Sequence, residues 1–258
     1  MIIIGEKINA TRKEVAKALE NKDETIIKEL ATSQEQAGAH YLDINGGDPS
    51  RESENIEWLI DVTQSVCDLP ISLDSANPQA IAVGLKKVKH KPIINSISLE
   101  KQKVSDLLPV VSEQDCSVIA LLMSDEGLPG SVDERLRRAD QLIDILTKAG
   151  KKHDEIFVDP CFLAIYSEAN AGVDVLESIR QIRKRFPDVH ISGGVSNSSF
   201  GMPQRKWINQ AYLILAIGAG LDAAIIDPCT EGTVPLILAA EVIIGKDEMG
   251  MNYISAMR

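Results

Sequence analysis

The stretch SVIALLMSDEGLPGSVDERLRRADQLIDILTKAGKKHDEIFVD, residues 117–159, holds the pattern that decides the fold. It opens on a short apolar run, SVIALL (Ser117 to Leu122), and closes on another, IFVD (Ile156 to Asp159). Between them, from Glu134 to Ala149, residues Leu136, Ala139, Leu142, Ile143 and Leu146 recur at spacings of three and four, the stripe of an amphipathic helix. Asp133 stands at the expected N-cap. Two strands joined by a long helical crossover make a parallel βαβ unit, because hairpin partners are joined by only a few residues.

The unit recurs along the whole chain. The other candidate strands are IIIG (Ile2 to Gly5), YLDIN (Tyr41 to Asn45), ISLD (Ile71 to Asp74), PIINS (Pro92 to Ser96), VHISGG (Val189 to Gly194) and AAIID (Ala223 to Asp227). An open doubly wound sheet also alternates strands and helices, but eight repeats in 258 residues fit a closed (β/α)8 barrel. The first strand also lacks the G-x-G-x-x-G turn of a dinucleotide site. No linker or low-complexity tract divides the chain, so the expectation is an α/β protein with one domain, residues 1–258, folded as a TIM barrel.

Composition narrows the function. With 44% hydrophobic and 25% charged residues, the chain has the make-up of a soluble globular protein. MIIIGEKINATRK at the N-terminus is too short in apolar residues for a signal peptide or a membrane anchor, so a cytoplasmic location is expected. A net charge of -11 with no long basic run argues against nucleic acid, and any anionic ligand must be met by locally placed cations or backbone N–H groups. Cys67, Cys116, Cys161 and Cys229 are scattered, as are His40, His90, His153 and His190, so reduced thiols and no protein-bound metal are expected.

In a barrel of this kind the active site lies at the carboxyl ends of the strands. There the sequence offers Glu6 and Asn9, Asp43 and Asn45, Asp74 and Ser75, Asn95 and Ser96, Met123 and Ser124, Asp159, Gly193 to Asn197, and Asp227. Any one of these can be a cap or turn residue, most of all in Asp159-Pro160 and Asp227-Pro228. As a set they carry more weight, because a carboxylate on the last residue of a strand points at the mouth or into the barrel and must find a partner there. Carboxylates and amides with few cations suit a neutral heterocycle rich in N–H donors, and a pterin is one. Aromatic content is 4%, so the ring would be held by its edge and by aliphatic walls.

The segments GEKINATRK (Gly5 to Lys13), YLDINGG (Tyr41 to Gly47), LDSANP (Leu73 to Pro78), IINSIS (Ile93 to Ser98), FVDPC (Phe157 to Cys161), GGVSNSSFGMPQR (Gly193 to Arg205) and GLDAAIIDP (Gly220 to Pro228) resemble the pterin-binding barrels. That family includes corrinoid-dependent methyltetrahydrofolate methyltransferases, the folate module of methionine synthase and dihydropteroate synthase. GVSNSSFG, followed by R-x-x-x-N (Arg205 to Asn209) and GLDAAIIDP, is most similar to the methyltransferase branch.

The resemblance implies a transferase that moves a methyl group between N5 of tetrahydrofolate and the cobalt of a corrinoid carried by a separate corrinoid protein. It implies that Asp74, Asn95 and Asp159 hold the pterin edge, that Asn197 lies near N5 as the catalytic residue, and that Gly194, Ser196 and Arg205 line the same side. Glu6 and Asp43 complete the substrate-binding set. Phe200 departs from relatives with a polar residue there, so a hydrogen bond to folate is expected to be missing. A dihydropteroate synthase-like condensing enzyme is the first alternative, but GGVSN and Asp227-Pro228 stand where that enzyme carries a lysine and an arginine for pyrophosphate. A folate-binding subunit without turnover is the second. INQAYLILAIGAGL (Ile208 to Leu221) and VPLILAAEVII (Val234 to Ile244) are apolar on more than one stripe, which points to a homodimer, the competing account being cover by the C-terminal tail.

Overall fold

Each apolar run expected as a strand pairs in parallel with its neighbours in a computed structural model, which describes residues 1–166 and 170–258. The chain runs β1 (Ile2–Asn9), α1 (Lys13–Asn21), α2 (Glu24–Gln36), β2 (Tyr41–Asn45), α3 (Glu52–Gln64), β3 (Ile71–Asp74), α4 (Pro78–Lys87), β4 (Ile93–Leu99) and α5 (Lys101–Glu113). It continues through β5 (Ser117–Ser124), α6 (Val132–Lys148), β6 (Ile156–Asp159), α7 (Ala171–Arg185), β7 (His190–Ile191), α8 (Arg205–Ala219), β8 (Ala223–Ile226), α9 (Thr233–Ile243) and α10 (Met251–Ala256). The strands are ordered β7-β6-β5-β4-β3-β2-β1-β8. A parallel bridge between Gly194 and Ile225, with Ile225 N donating to Gly193 O at 3.0 Å, brings β7 against β8 and completes the (β/α)8 barrel.

Several boundaries differ from the sequence reading. β1 runs on to Asn9, so Glu6 and Asn9 stand on the strand, Glu6 within a register shift between Gly5 and Ile8 and Asn9 beyond it. β4 and β5 likewise extend to Leu99 and Ser124. β7 is shorter than VHISGG, because the chain turns at Gly193 and Gly194 to open the loop that follows. A side chain at Gly193 would stand 2.4 Å from the Phe162 ring, so only glycine fits that turn. The N-cap of α6 is Ser131, not Asp133: its extended backbone places Oγ 3.2 Å from the Glu134 N–H. Asp133 sits in the first turn, where its charge complements the helix dipole.

The main core fills the space between the strands and the surrounding helices, and a second, smaller core plugs the barrel. That plug consists of Ile4, Ile93, Ile119, Phe157 and Ala223, with Ile2, Tyr41 and Ile225 packed on it. Side chains alternate along a strand, so two residues beyond each inward apolar group the chain again faces inward. There it carries Glu6, Asp43, Asn95 and Asp159, beyond Ile4, Tyr41, Ile93 and Phe157. The barrel interior is thus apolar at one end and acidic at the other. Among the described residues no helix is long and apolar enough to cross a membrane.

Candidate active site

The acidic end of the barrel opens into a cavity of about 660 Å³. Its lining includes Glu6, Asp43, Asp74, Asn95, Asp159, Gly194, Ser196, Asn197 and Arg205, so each residue assigned to the substrate site from the sequence meets the same space. Asp74 is in register with Asn45 on β2 and with Asn95 on β4. Asn45 Nδ2 donates to Asp74 Oδ2 at 3.0 Å, and Asn95 Nδ2 donates to Asp43 Oδ1 at 3.2 Å. Across the mouth, the Ser196 hydroxyl donates to Glu6 Oε2 at 3.0 Å. On β6, Asp159 Oδ1 accepts from the Cys161 N–H at 2.8 Å.

Burial governs the charge on this floor. Desolvation pushes Asp159 from the ordinary 3.8 up to about 7, against the opposing pull of the backbone N–H groups of Cys161 and Gly194. Asp43 is pushed well above the usual carboxylate range, first by burial and then by repulsion from Asp74. Asp74 and Glu6 are raised too, again mainly by burial, while hydrogen bonds from Asn45 and Ser196 respectively pull them back. Each of these carboxyls is raised by burial, and a ligand's N–H groups would favour its ionised form.

Asn197 differs from the rest. Its backbone is tied into a short turn, donating to Gly194 O at 3.0 Å and accepting from Phe200 N at 3.1 Å. Its side-chain amide is exposed and has no hydrogen-bond partner among the described residues. A Cβ on Gly194 would stand 2.9 Å from Asn197 Nδ2, so the glycine makes room for the amide. Arg205 holds the same turn from α8, donating to Ser196 O at 2.7 Å and Ser199 Oγ at 2.9 Å. The walls are Val195, Leu213, Ile225 and Ile226, with no aromatic side chain in the lining.

A profile of pterin-binding enzymes matches residues 5–227. The chain belongs to this pterin-binding family. It is 33% identical over 261 residues to the methylcorrinoid:tetrahydrofolate methyltransferase of Eubacterium limosum, across 100% of this chain and 96% of that protein. It is 29% identical over 240 residues to the methionine synthase of Mycobacterium tuberculosis, across 88% of this chain but only 20% of that much longer protein. Among solved structures, dihydropteroate synthase from Coxiella burnetii in complex with pteroic acid superposes with a TM-score of 0.71 at 17% identity, covering 93% of this chain and 94% of that one. The enzyme from Xanthomonas albilineans gives 0.74 at 17% identity, with 94% and 92% covered. These two likenesses are of fold.

Within this family member, some strand-end residues also serve their loops, although Asn9 and Asp227 line the cavity as well. Asn9 Oδ1 accepts from Thr11, Ser124 Oγ from Glu126 N, and Asp227 Oδ1 from Cys229 N, the turn roles open to such residues. Ser75 donates to Glu52 below the surface, away from the cavity. Phe200 is 65% exposed and does not line the cavity, so it offers the site no hydrogen bond. Asn45, one of the strand-end candidates though not assigned to the substrate-binding set, orients Asp74. Arg12 and Lys206 were not assigned to the site; they line the cavity from elements far apart in sequence, within the GEKINATRK and R-x-x-x-N segments. Among the described residues no trio of His, Cys, Asp or Glu is placed to hold a metal ion.

Proposed function

We propose that the protein is a transferase that moves a methyl group between N5 of tetrahydrofolate and a corrinoid carried by a separate protein. The observation that carries this reading is the floor of carboxylates and amides, open to a cavity that ends at the free amide of Asn197. Full-length similarity to a protein named for methylcorrinoid and tetrahydrofolate supports it.

In this reading Asp74, Asn95 and Asp159 take the pyrimidine edge of the pterin. Its amino and ring N–H groups donate to the carboxylates, and the Asn95 amide both gives and accepts. Glu6 and Asp43 set the field around the ring. Gly194 and Ser196 shape the wall beside N5, and Arg205 keeps their turn in place. Asn197 meets N5 itself. The amide accepts from the N5–H through its oxygen, and as N5 is methylated that proton passes to water at the open mouth. In the opposite direction N5 must gain a proton as the C–N bond breaks, and the amide favours that form in the same way. The corrinoid supplies the cobalt centre at which the methyl is received or given. The donor set fits a pterin, and a partner protein must carry the corrinoid up to the open mouth.

A second copy of the chain completes the assembly. The exposed side of α8 presents Trp207, Ala211, Leu215 and Gly218 at helical spacing with no charge among them, and Ile243 on α9 is 82% exposed. The C-terminal α10 packs on α9 and covers part of that helix, yet leaves this apolar surface open.

Titration calorimetry with tetrahydrofolate tests the reading. Asp74→Ala and Asp159→Ala should each weaken binding by roughly 1 to 3 kcal/mol, the value of charge-assisted hydrogen bonds lost from a buried edge. Unchanged affinity in both would remove these residues from the pterin site. Release of pyrophosphate from a pterin pyrophosphate and p-aminobenzoate would favour the condensing enzyme instead.

A further inference from the structure

Among the described residues, the cavity's cations are gathered in one sector. The carboxylates, Glu6, Asp43, Asp74, Asp159 and Asp227, come from around the barrel, whereas the cations, Arg12, Arg205 and Lys206, come only from the loop after β1 and the start of α8. These elements are neighbours in space, because β8 lies between β1 and the end of β7. Arg12, Arg205 and Glu6 line the same cavity, with Arg12 in the loop that follows Glu6's own strand. In a chain of net charge -11, cations gathered on one sector mark a place for anionic groups.

The geometry points to a subsite on this sector for the oligo-γ-glutamyl tail of a folate, held by Arg12 and Lys206. The inference rests on the pterin orientation proposed above. In tetrahydrofolate the tail leaves from C6, beside N5 and at the far end of the ring system from the pyrimidine amino group. With that amino edge on β3, β4 and β6 and N5 at Asn197, the tail leaves the cavity over β7, β8 and β1, where the cations stand.

Their present partners are easily exchanged. Arg12 pairs with Glu14 at 3.0 Å, and Lys206 with Glu231 at 2.9 Å, the latter carboxylate being 93% exposed. Exposed pairs of this kind hold a side chain in place at little net energy, so a ligand carboxylate can replace the protein's own. One turn along α8, Asn209 lines the same wall, and its side-chain oxygen is buried without a partner among the described residues. Turned about its last bond, that amide offers an N–H to the first peptide of the tail.

The test compares three ligands by calorimetry on the whole protein: 6-methyltetrahydropterin, which has no tail, tetrahydrofolate with one glutamate, and tetrahydrofolate with three γ-linked glutamates. The triglutamate should bind wild type about tenfold tighter than the monoglutamate at low salt, with the gain shrinking towards unity at about 0.5 M salt. In Arg12→Gln/Lys206→Gln the triglutamate preference should vanish. If 6-methyltetrahydropterin binds and the triglutamate gains nothing, or if the double variant keeps the preference, the tail subsite is overturned and the pterin assignment stands. If 6-methyltetrahydropterin itself does not bind, the pterin assignment fails and takes the subsite with it.

Discussion

On the proposed reading, a pterin competes with the proton that burial favours on Asp159. Its carboxyl is held at about 7 by burial, so near neutrality it is partly protonated. Ligand N–H groups favour the ionised form, so binding lowers that value and releases a proton. Tetrahydrofolate affinity should therefore rise as pH increases through about 7 and level off above it. Calorimetry below neutrality, in buffers of different ionisation enthalpy, should detect proton release that disappears in Asp159→Asn. The same shift sets a stability trend. A carboxyl whose folded value lies above its unfolded 3.8 contributes stability that is lost as pH rises from there to about 7. Unliganded wild type should thus lose more denaturant stability between about pH 5 and about pH 8 than Asp159→Asn does. Equal losses would show that Asp159 is not held in its neutral form.

The acidic floor was legible from the sequence because strand periodicity and barrel geometry together dictate which residues face the mouth. Asp43, Asp74, Asn95 and Asp159 follow from that rule alone. Asp227 satisfies the rule as well, yet one of its oxygens is taken by the turn to Cys229. Its neighbour Lys7 approaches the other at 3.5 Å. Local turns and long-range pairs of this sort leave no periodic signal, and for the same reason Arg12 and Lys206 could not be read as partners in one sector.

At the scale of elements, the turn from Gly193 to Phe200 is where backbone shape governs chemistry. Gly194 leaves 2.9 Å between its missing Cβ and Asn197 Nδ2, so Gly194→Ala must push the amide aside. Methyl transfer should fall by about tenfold or more, since small displacements of a positioned group are costly, while folate affinity changes less. An unchanged rate in a folded Gly194→Ala protein would show that this amide does not need its present position. The shortening of β7 and the Ser131 cap have the same lesson. Helix and strand existence follow from periodicity, but their ends depend on single turns, glycine contacts and capping hydroxyls that periodicity does not encode.

For the whole molecule, α8 has two tasks. Its first residues, Arg205, Lys206 and Asn209, reach the cavity, and its outward stripe is apolar. On the dimer reading, Leu215→Glu should give a monomer by light scattering at micromolar concentration, whereas wild type gives twice that mass. A monomeric wild type would assign the surface to another partner or to none. The stripe and the cavity share one helix, so on the dimer reading the Leu215→Glu monomer should also show weaker folate affinity.

The central claim is that Asn197 and the acidic floor serve methyl transfer on folate rather than folate binding alone. Rapid mixing of the protein and tetrahydrofolate with a methylated corrinoid protein, following both the corrinoid spectrum and 5-methyltetrahydrofolate, tests it most directly. The account predicts a spectral change that requires both protein and folate and yields one methylated folate per corrinoid. In Asn197→Ala it should be slowed at saturating folate by more than ground-state affinity is weakened. Tight folate binding with no methylated folate formed, or an Asn197→Ala rate equal to wild type, would contradict it.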